Sequence, residues 1–203
     1  MFEVKVKVRE MREIYFKFVP DDTVLNNEPT ELAKNNWLKY DNIYDKNTHF
    51  ISYLMKKHFA GQGEIKYNQY KKPIIDNGFF NISHDKKLCV GVFDHDHDIG
   101  IDVINVNRHF HNVGIYKKIF NDDEPKNIFQ FSRKEAYAKM IGKGILNMKL
   151  KMLDINIIGG AIYYKGKLEP YNIFETIFND YFICIVGKFN PTEFTFKEFE
   201  IPS

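Results

Sequence analysis

The stretch VGVFDHDHDIGIDV, Val90 to Val103, sets an apolar run, a block of alternating acids and imidazoles, and a second apolar run end to end. Short runs rich in β-branched and aromatic residues, bounded by polar turn formers, read as strands. The segment Asp94 to Asp98 is therefore a connection between two strands, and Asp102 stands on the second of them. Imidazole favours softer transition metals over the hard cations that carboxylates hold. Asp94, His95, Asp96, His97 and Asp98 are accordingly read as a solvated turn, and by position alone Asp102 is an ordinary strand-end aspartate.

Upstream, FFNIS, a turn at His84 to Lys87, and LCVGVF form a strand pair, preceded by a short strand near Ile65 and a turn at Lys71 to Pro73. The spacing of Leu32, Trp37, Leu38, Ile43, Phe50, Ile51, Leu54, Met55 and Phe59 predicts two helices between Glu31 and Phe59, stopped by Gly61 and Gly63. Alternation from Phe2 to Val8 predicts a further strand. Downstream, helical spacing runs from Arg108 to Phe120 and from Lys126 to Ile141; strands follow at DINII and AIYY, then a hairpin of YNIFETIF and YFICIVGKF turning at Asn179-Asp180. Helices on a largely antiparallel sheet make an α+β fold. LCVGVF and FICIVGKF each follow a strand-and-turn signal, a faint repeat between the two halves.

The 203 residues suffice for one sizeable core or two joined halves. Hydrophobic residues at 44% and aromatics at 16% exclude a disordered chain. With 29 basic residues against 27 acidic ones, the formal charge of +2 is too small for a nucleic-acid binder that neutralises many phosphates. Cys89 and Cys184 sit inside apolar runs and are read as reduced core thiols. The N-terminus lacks the apolar block of a signal peptide, and no apolar run reaches the ~20 residues of a membrane span. The expected setting is soluble and cytoplasmic, with no nucleic-acid or membrane partner.

Two segments carry more than generic patterning. One is VGVFDHDHDIGIDV, with Gly100-Ile101-Asp102 at its end; the other is FSRKEAYAKMIGKGI, Phe131 to Ile145, with Lys134-Glu135, Ala136, Lys139, Gly142 and Gly144. Together they resemble the signature of the Sfp-type 4'-phosphopantetheinyl transferases, within the holo-acyl-carrier-protein synthase superfamily: Gly-(Ile/Val)-Asp, then Trp-x-x-Lys-Glu-(Ser/Ala)-x-x-Lys-x-x-Gly-x-Gly. KKPIIDNGFFNISHD resembles the same family's Gly-Lys-Pro stretch and a strand ending in Ser-His, here Ser83-His84. The match runs from about Lys71 to Ile145.

The resemblance implies a pseudo-twofold pair of α+β halves, 1–98 on the coenzyme A nucleotide side and 99–203 carrying the metal and the catalytic helix. Such an internally duplicated chain can work as a monomer. The implied reaction moves the 4'-phosphopantetheine arm of coenzyme A onto a serine of an apo acyl or peptidyl carrier protein. It needs Mg²⁺ and releases adenosine 3',5'-bisphosphate. Hard carboxylate oxygens suit that ion, which keeps several positions for phosphate and water.

Carried over residue by residue, Asp102 is a metal ligand that also faces the coenzyme. Glu135 is the second ligand and orients or deprotonates the incoming hydroxyl. Lys139 offsets charge on the transferring or leaving group, and Ser83 and His84 contact phosphate. Lys72, or Lys71 in its stead, lies at the 3'-phosphate or adenine end. Lys134 is read equally as a phosphate contact or a surface lysine, and Gly142 and Gly144 as helix caps that also let backbone approach the ligand. Ser132-x-x-Glu135 has the form of a capping box, a reading that weakens if the helix starts near Lys126. Ile104 stands where many relatives carry a further acid, and Phe131 where they carry Trp. Lys34, Lys39 and Lys57 are candidates for the nucleotide phosphate. On this reading Asp102→Ala or Glu135→Ala stops transfer with the fold intact. An inactive carrier-binding homologue is the alternative.

Overall fold

The computed structural model describes residues 11–20, 25, 40–108, 119–121, 125–142, 152–191 and 194–201. The expected strand Phe2 to Val8, the helix through Leu32, Trp37 and Leu38, most of the helix after Arg108, Lys34, Lys39 and Gly144 lie outside those residues.

The described elements in chain order are strand β1 (Arg12–Phe18), helix α1 (Ile43–Ala60), β2 (Lys66–Tyr67), β3 (Pro73–Ile74), β4 (Phe79–Asp85), β5 (Leu88–Asp94) and β6 (Ile99–Asn105). Helix α2 (Ile128–Met140) follows, then β7 (Ile155–Ile158), β8 (Ala161–Tyr164), β9 (Lys167–Leu168), β10 (Asn172–Phe178), β11 (Tyr181–Gly187) and β12 (Phe194–Glu198). One sheet has the order β12-β1-β5-β4, another β10-β11-β6, with small sheets β2-β3 and β7-β8-β9. This is an α+β protein with mixed sheets, since β12 runs parallel to β1 while the other pairings are antiparallel.

Alternation along the central strands assigns each side chain to one of three cores. Leu88, Val90 and Val92 of β5, Ile99, Ile101 and Val103 of β6, and Tyr181, Ile183 and Ile185 of β11 meet in a core between the two larger sheets. The opposite face of the first sheet, through Cys89 and Phe80, packs against Ile51, Met55 and Phe59 of α1. The opposite face of the second, through Ile104, Phe182 and Cys184, packs against Ala136, Tyr137 and Met140 of α2. Strands apolar on both faces are those covered on both faces, and this explains why LCVGVF and YFICIVG show no alternation of polarity. Cys89 and Cys184 are free, buried thiols, as expected.

Strands β4 and β6 sit at facing sheet edges, where bare backbone N–H groups need partners. Here the partners are side chains. Asn81 Oδ1 accepts from Ile101 N at 3.1 Å, Ser83 Oγ from Val103 N at 3.3 Å, and Asp85 Oδ2 from Asn105 N at 2.7 Å. Alternate residues of β4 thus serve alternate amides of β6. His84 and Asp85, expected in a turn, belong to β4 instead; the turn shrinks to Lys86-Lys87 because Asp85 is held by β6 and, at 2.9 Å, by Arg108.

The DHDHD segment is a connection, but Asp94 is not a solvated part of it. Asp94 is buried, accepts from Arg12 Nε at 2.8 Å, and takes the Asp96 and His97 amides at 2.9 Å each. Although Asp94, Asp96 and His97 each bring a ligand atom within 4.8 Å of the others, the Asp94 oxygens are spent on shaping the turn. Asp94→Ala is expected to cost about 1–3 kcal/mol in a urea titration by stripping an arginine and two amides of their acceptor. His95→Ala and His97→Ala are expected to leave stability unchanged.

Among the described residues, no helix is long and apolar enough to cross a membrane.

Candidate functional site

Helix α2 brings one side of the site. Asn127 caps it, its side chain accepting from Gln130 N at 2.9 Å. The capping-box reading of Ser132 and Glu135 therefore falls, because both lie inside the helix. Ser132, Glu135, Ala136 and Lys139 recur at helical spacing and share a face. That face lies on β6 because Gly100 has no side chain: a Cβ there would meet Met140 N at 2.6 Å and Met140 Cβ at 2.8 Å, and the Ala136 carbonyl oxygen closer still. The helix ends at Gly142, whose φ of +69° suits the left-handed turn that closes helices.

Two residues past Gly100, Asp102 points from the same face of β6 into a ring of donors. Ser83 Oγ donates to its Oδ1 at 3.0 Å, Lys139 Nζ donates to Oδ1 at 2.6 Å, and Ser132 Oγ donates to Oδ2 at 2.7 Å. Lys139 also donates to Ser83 Oγ at 2.7 Å. With Val103 N as a second donor, Ser83 uses its one proton and both acceptor positions. Burial disfavours the Lys139 ammonium, but the charges of Asp102 and Glu135 outweigh it and hold its pKa above the ordinary lysine value.

Glu135 stands beside this ring with no hydrogen-bond partner for its carboxylate among the described residues. Burial pushes its pKa up to about 7; Lys139 opposes the rise, Asp102 adds to it, and Arg108 opposes it. Between its ordinary value of 4.5 and about 7, the folded chain keeps a proton that the unfolded chain has released. The contribution to stability is therefore full below pH 4.5 and declines as the pH rises toward 7. In chelator, urea midpoints of Glu135→Gln are expected to lose this slope. The variant should exceed the parent at pH 8 by about 1–3 kcal/mol, and parallel profiles for the two proteins would refute the assignment.

The sequence-predicted residues separate into two groups. Asp102, Glu135, Lys139 and Ser83 converge, with His84 close enough that burial and the Lys139 charge hold its imidazole below the usual histidine range. The desolvation of His84 is only partial, since the residue as a whole stays exposed on β4. Lys134 does not converge. It is neither a phosphate contact nor a surface lysine: fully buried, it donates to the carbonyls of Ile119 at 2.8 Å and Met152 at 3.2 Å, over the Phe120 ring. Its position, one residue from Glu135 on a helix, turns it away from Asp102 and into the core. Lys72 is also engaged, donating to Asp98 and, at 2.5 Å, to the Met140 carbonyl at the end of α2. It ties the Lys71 to Pro73 turn to the site helix.

Sequence reasoning missed Ser132 as a partner of Asp102, and missed Asp85 with its partner Arg108, whose charge reaches Glu135. The signal for Ser132 was masked by its capping-box form. For Asp85, the alternation Asn81, Ser83, Asp85 on a strand with Phe80 and Ile82 between them was available. Ile104, where a further acid was looked for, is 1% exposed in the core beneath α2.

The donor set fits a hard divalent cation. Glu135 offers oxygens that no hydrogen bond uses, and Asp102 Oδ2 accepts only the Ser132 proton among the described residues. The Asp102 charge raises the proton affinity of Glu135, and a cation between two such carboxylates relieves that repulsion.

No protein-family model matches the chain. Two curated proteins do, both of them holo-[acyl-carrier-protein] synthases from strains of Treponema pallidum, one of which is strain Nichols. Each is 29% identical to the chain over 87 residues, covering 36% of this chain and 67% of the relative. The likeness is to phosphopantetheinyl transferases. It is distant and partial, and supports that relationship without placing the chain in the Sfp-type branch.

Proposed function

We propose that the chain transfers the 4'-phosphopantetheine arm of coenzyme A to a serine of an apo acyl or peptidyl carrier protein, with Mg²⁺, releasing adenosine 3',5'-bisphosphate. The observation that carries this reading is Glu135: a carboxylate beside Asp102 with no hydrogen-bond partner among the described residues, on a helix face that also holds Lys139 and Ser132. Asp102 and Glu135 would hold the ion, whose positive charge, when bound, weakens the hold of the diphosphate oxygens on the phosphorus under attack.

The chain's own groups do the rest. Ser83 and Ser132 fix the Asp102 carboxylate from β4 and α2, so it does not have to reorganise as charge develops. Lys139 places an ammonium against the anionic oxygens. Glu135, whose carboxylate accepts no hydrogen bond among the described residues, is the group we assign to orient the serine hydroxyl and take its proton. Arg108 adds a positive charge near Glu135, and we assign His84, next to Ser83 on β4, as a further donor. We read the two runs β1-α1-β4-β5 and β6-α2-β10-β11, which repeat one order of strand, helix and hairpin, as the two halves of a pseudo-twofold fold, divided near residue 98.

A second reading, a carrier-binding homologue without catalysis, is favoured by the commitment of Lys72 and Lys134 to internal partners and by Ile104. Intact-mass measurement separates the two. Incubated with coenzyme A, Mg²⁺ and apo carrier proteins of the host, the enzyme reading expects a carrier to gain one phosphopantetheine arm, and expects chelator to prevent it. No gain on any of several apo carriers would leave the binding reading.

A further inference from the structure

Lys139 occupies Oδ1 of the Asp102 carboxylate, whose Oδ2 is the oxygen open to a cation. Its ammonium is 2.6 Å from Asp102 Oδ1 and 2.7 Å from Ser83 Oγ, and its side chain keeps 22% of its surface exposed against 7% for Asp102. Asp102 is thus already neutralised while Glu135, close by, is not.

We propose that Lys139 is the resident counter-ion of Asp102 and competes with a divalent cation for that carboxylate. The inference rests on the two-carboxylate metal reading above and adds a sign to it: the lysine holds ion affinity down in the substrate-free protein. Three features support it. The bonds from Ser83 and Ser132 come from short side chains on β4 and α2, whereas the ammonium sits at the end of a flexible four-carbon stem, so the lysine bond is the exchangeable one. Ser83 has its proton on Asp102 and keeps the carboxylate aimed when the lysine leaves. Finally, an ammonium and a dication on one carboxylate repel each other strongly where burial of Asp102 limits screening by water. An anionic diphosphate that draws Lys139 away would therefore raise the affinity for the ion, and by linkage the ion would raise affinity for the diphosphate.

The test is a Mn²⁺ titration followed by electron paramagnetic resonance, without coenzyme A, on the full chain and on Lys139→Met, Asp102→Asn and Glu135→Gln. Lys139→Met is expected to bind Mn²⁺ about tenfold more tightly than the parent, the effect of removing one like charge beside the ion. Lys139→Gln, which keeps a hydrogen bond but no charge, should show the same gain and serves if the methionine variant does not fold. A lysine with a purely structural role predicts weaker binding on removal. Unchanged or weaker binding in the folded Lys139 variants, with parent binding still abolished by Asp102→Asn, overturns the competition and leaves the metal reading standing. Mn²⁺ binding that Asp102→Asn and Glu135→Gln do not affect overturns the metal reading and the inference with it.

Discussion

Asp102→Asn is expected to cut carrier modification by about 10²–10³-fold or more, because the asparagine keeps the shape and the Ser132 contact but gives up the charge that would hold the ion, a loss of several kcal/mol of transition-state stabilisation. Asp102→Ala is expected to do more than stop the reaction. It leaves the Lys139 ammonium without its counter-ion and the Ser83 and Ser132 hydroxyls without an acceptor. Breaking a fully buried pair from one side costs about 3–5 kcal/mol. With Lys139 22% exposed, the figure here lies toward about 2–3 kcal/mol. Alanine is therefore not the neutral probe that the sequence alone suggests, and the fold does not stay fully intact around it. Intact-mass kinetics paired with urea midpoints on the two variants check both parts. Near-normal transfer by Asp102→Asn would remove Asp102 from the site.

The site was legible in sequence where chemistry and spacing coincide. Asp102, Glu135 and Lys139 lie on two elements whose types are plain from VGVF, IGIDV and the helical spacing after Lys126, and they come together as expected. Lys134 was not legible, because adjacent lysine and glutamate side chains on a helix diverge by about a quarter turn. Which of them faces Asp102 depends on the strand underneath. The same holds for Asp94: as text it is the first of five solvated-looking residues, and only the return of Arg12 from a strand far away in the chain buries it. Of the fold, the hairpins followed from apolar runs bounded by turn formers, and the two described helices from their period. The parallel pairing of β12 with β1 did not, since it joins segments from opposite ends of the chain with no local signal.

The side-chain ladder between β4 and β6 belongs to the same class of hidden feature. Asn81, Ser83 and Asp85 read as a polar edge, and a polar edge ordinarily faces water. Here it faces β6, and Ser83 becomes at once a structural acceptor for Val103 and an orienting donor for Asp102. Structure and site thus share an atom, Ser83 Oγ, so that loosening the seam between the sheets also loosens the carboxylate.

Gly100→Ala is expected to be the most disruptive single-methyl change in the described chain. The obstacle is steric and not conformational. The new Cβ would sit 2.6 Å from Met140 N and 2.8 Å from Met140 Cβ, and closer to the Ala136 carbonyl oxygen, all well inside the ~3.5 Å at which such atoms rest. Two of these three atoms are helix backbone, which cannot rotate away, so α2 has to lift from β6 by roughly an ångström, with an overpacking cost of about 1–3 kcal/mol or more. The lift opens the Lys139 and Ser132 bonds to Asp102 together, and a displacement of that size costs about 10²-fold in rate where reacting groups must be aligned. Gly91→Ala is the matched control: its Cβ would meet the Phe59 ring at 2.9 Å and Ile82 Cγ1 at 3.4 Å, side-chain atoms that can give, in the core under α1. It should cost stability without comparable loss of transfer. Thermal midpoints and intact-mass rates on the two variants decide the matter. A Gly100→Ala protein as stable and active as the parent would mean that α2 does not rest on β6 at this point, and the geometry of Asp102, Glu135 and Lys139 would lose its foundation.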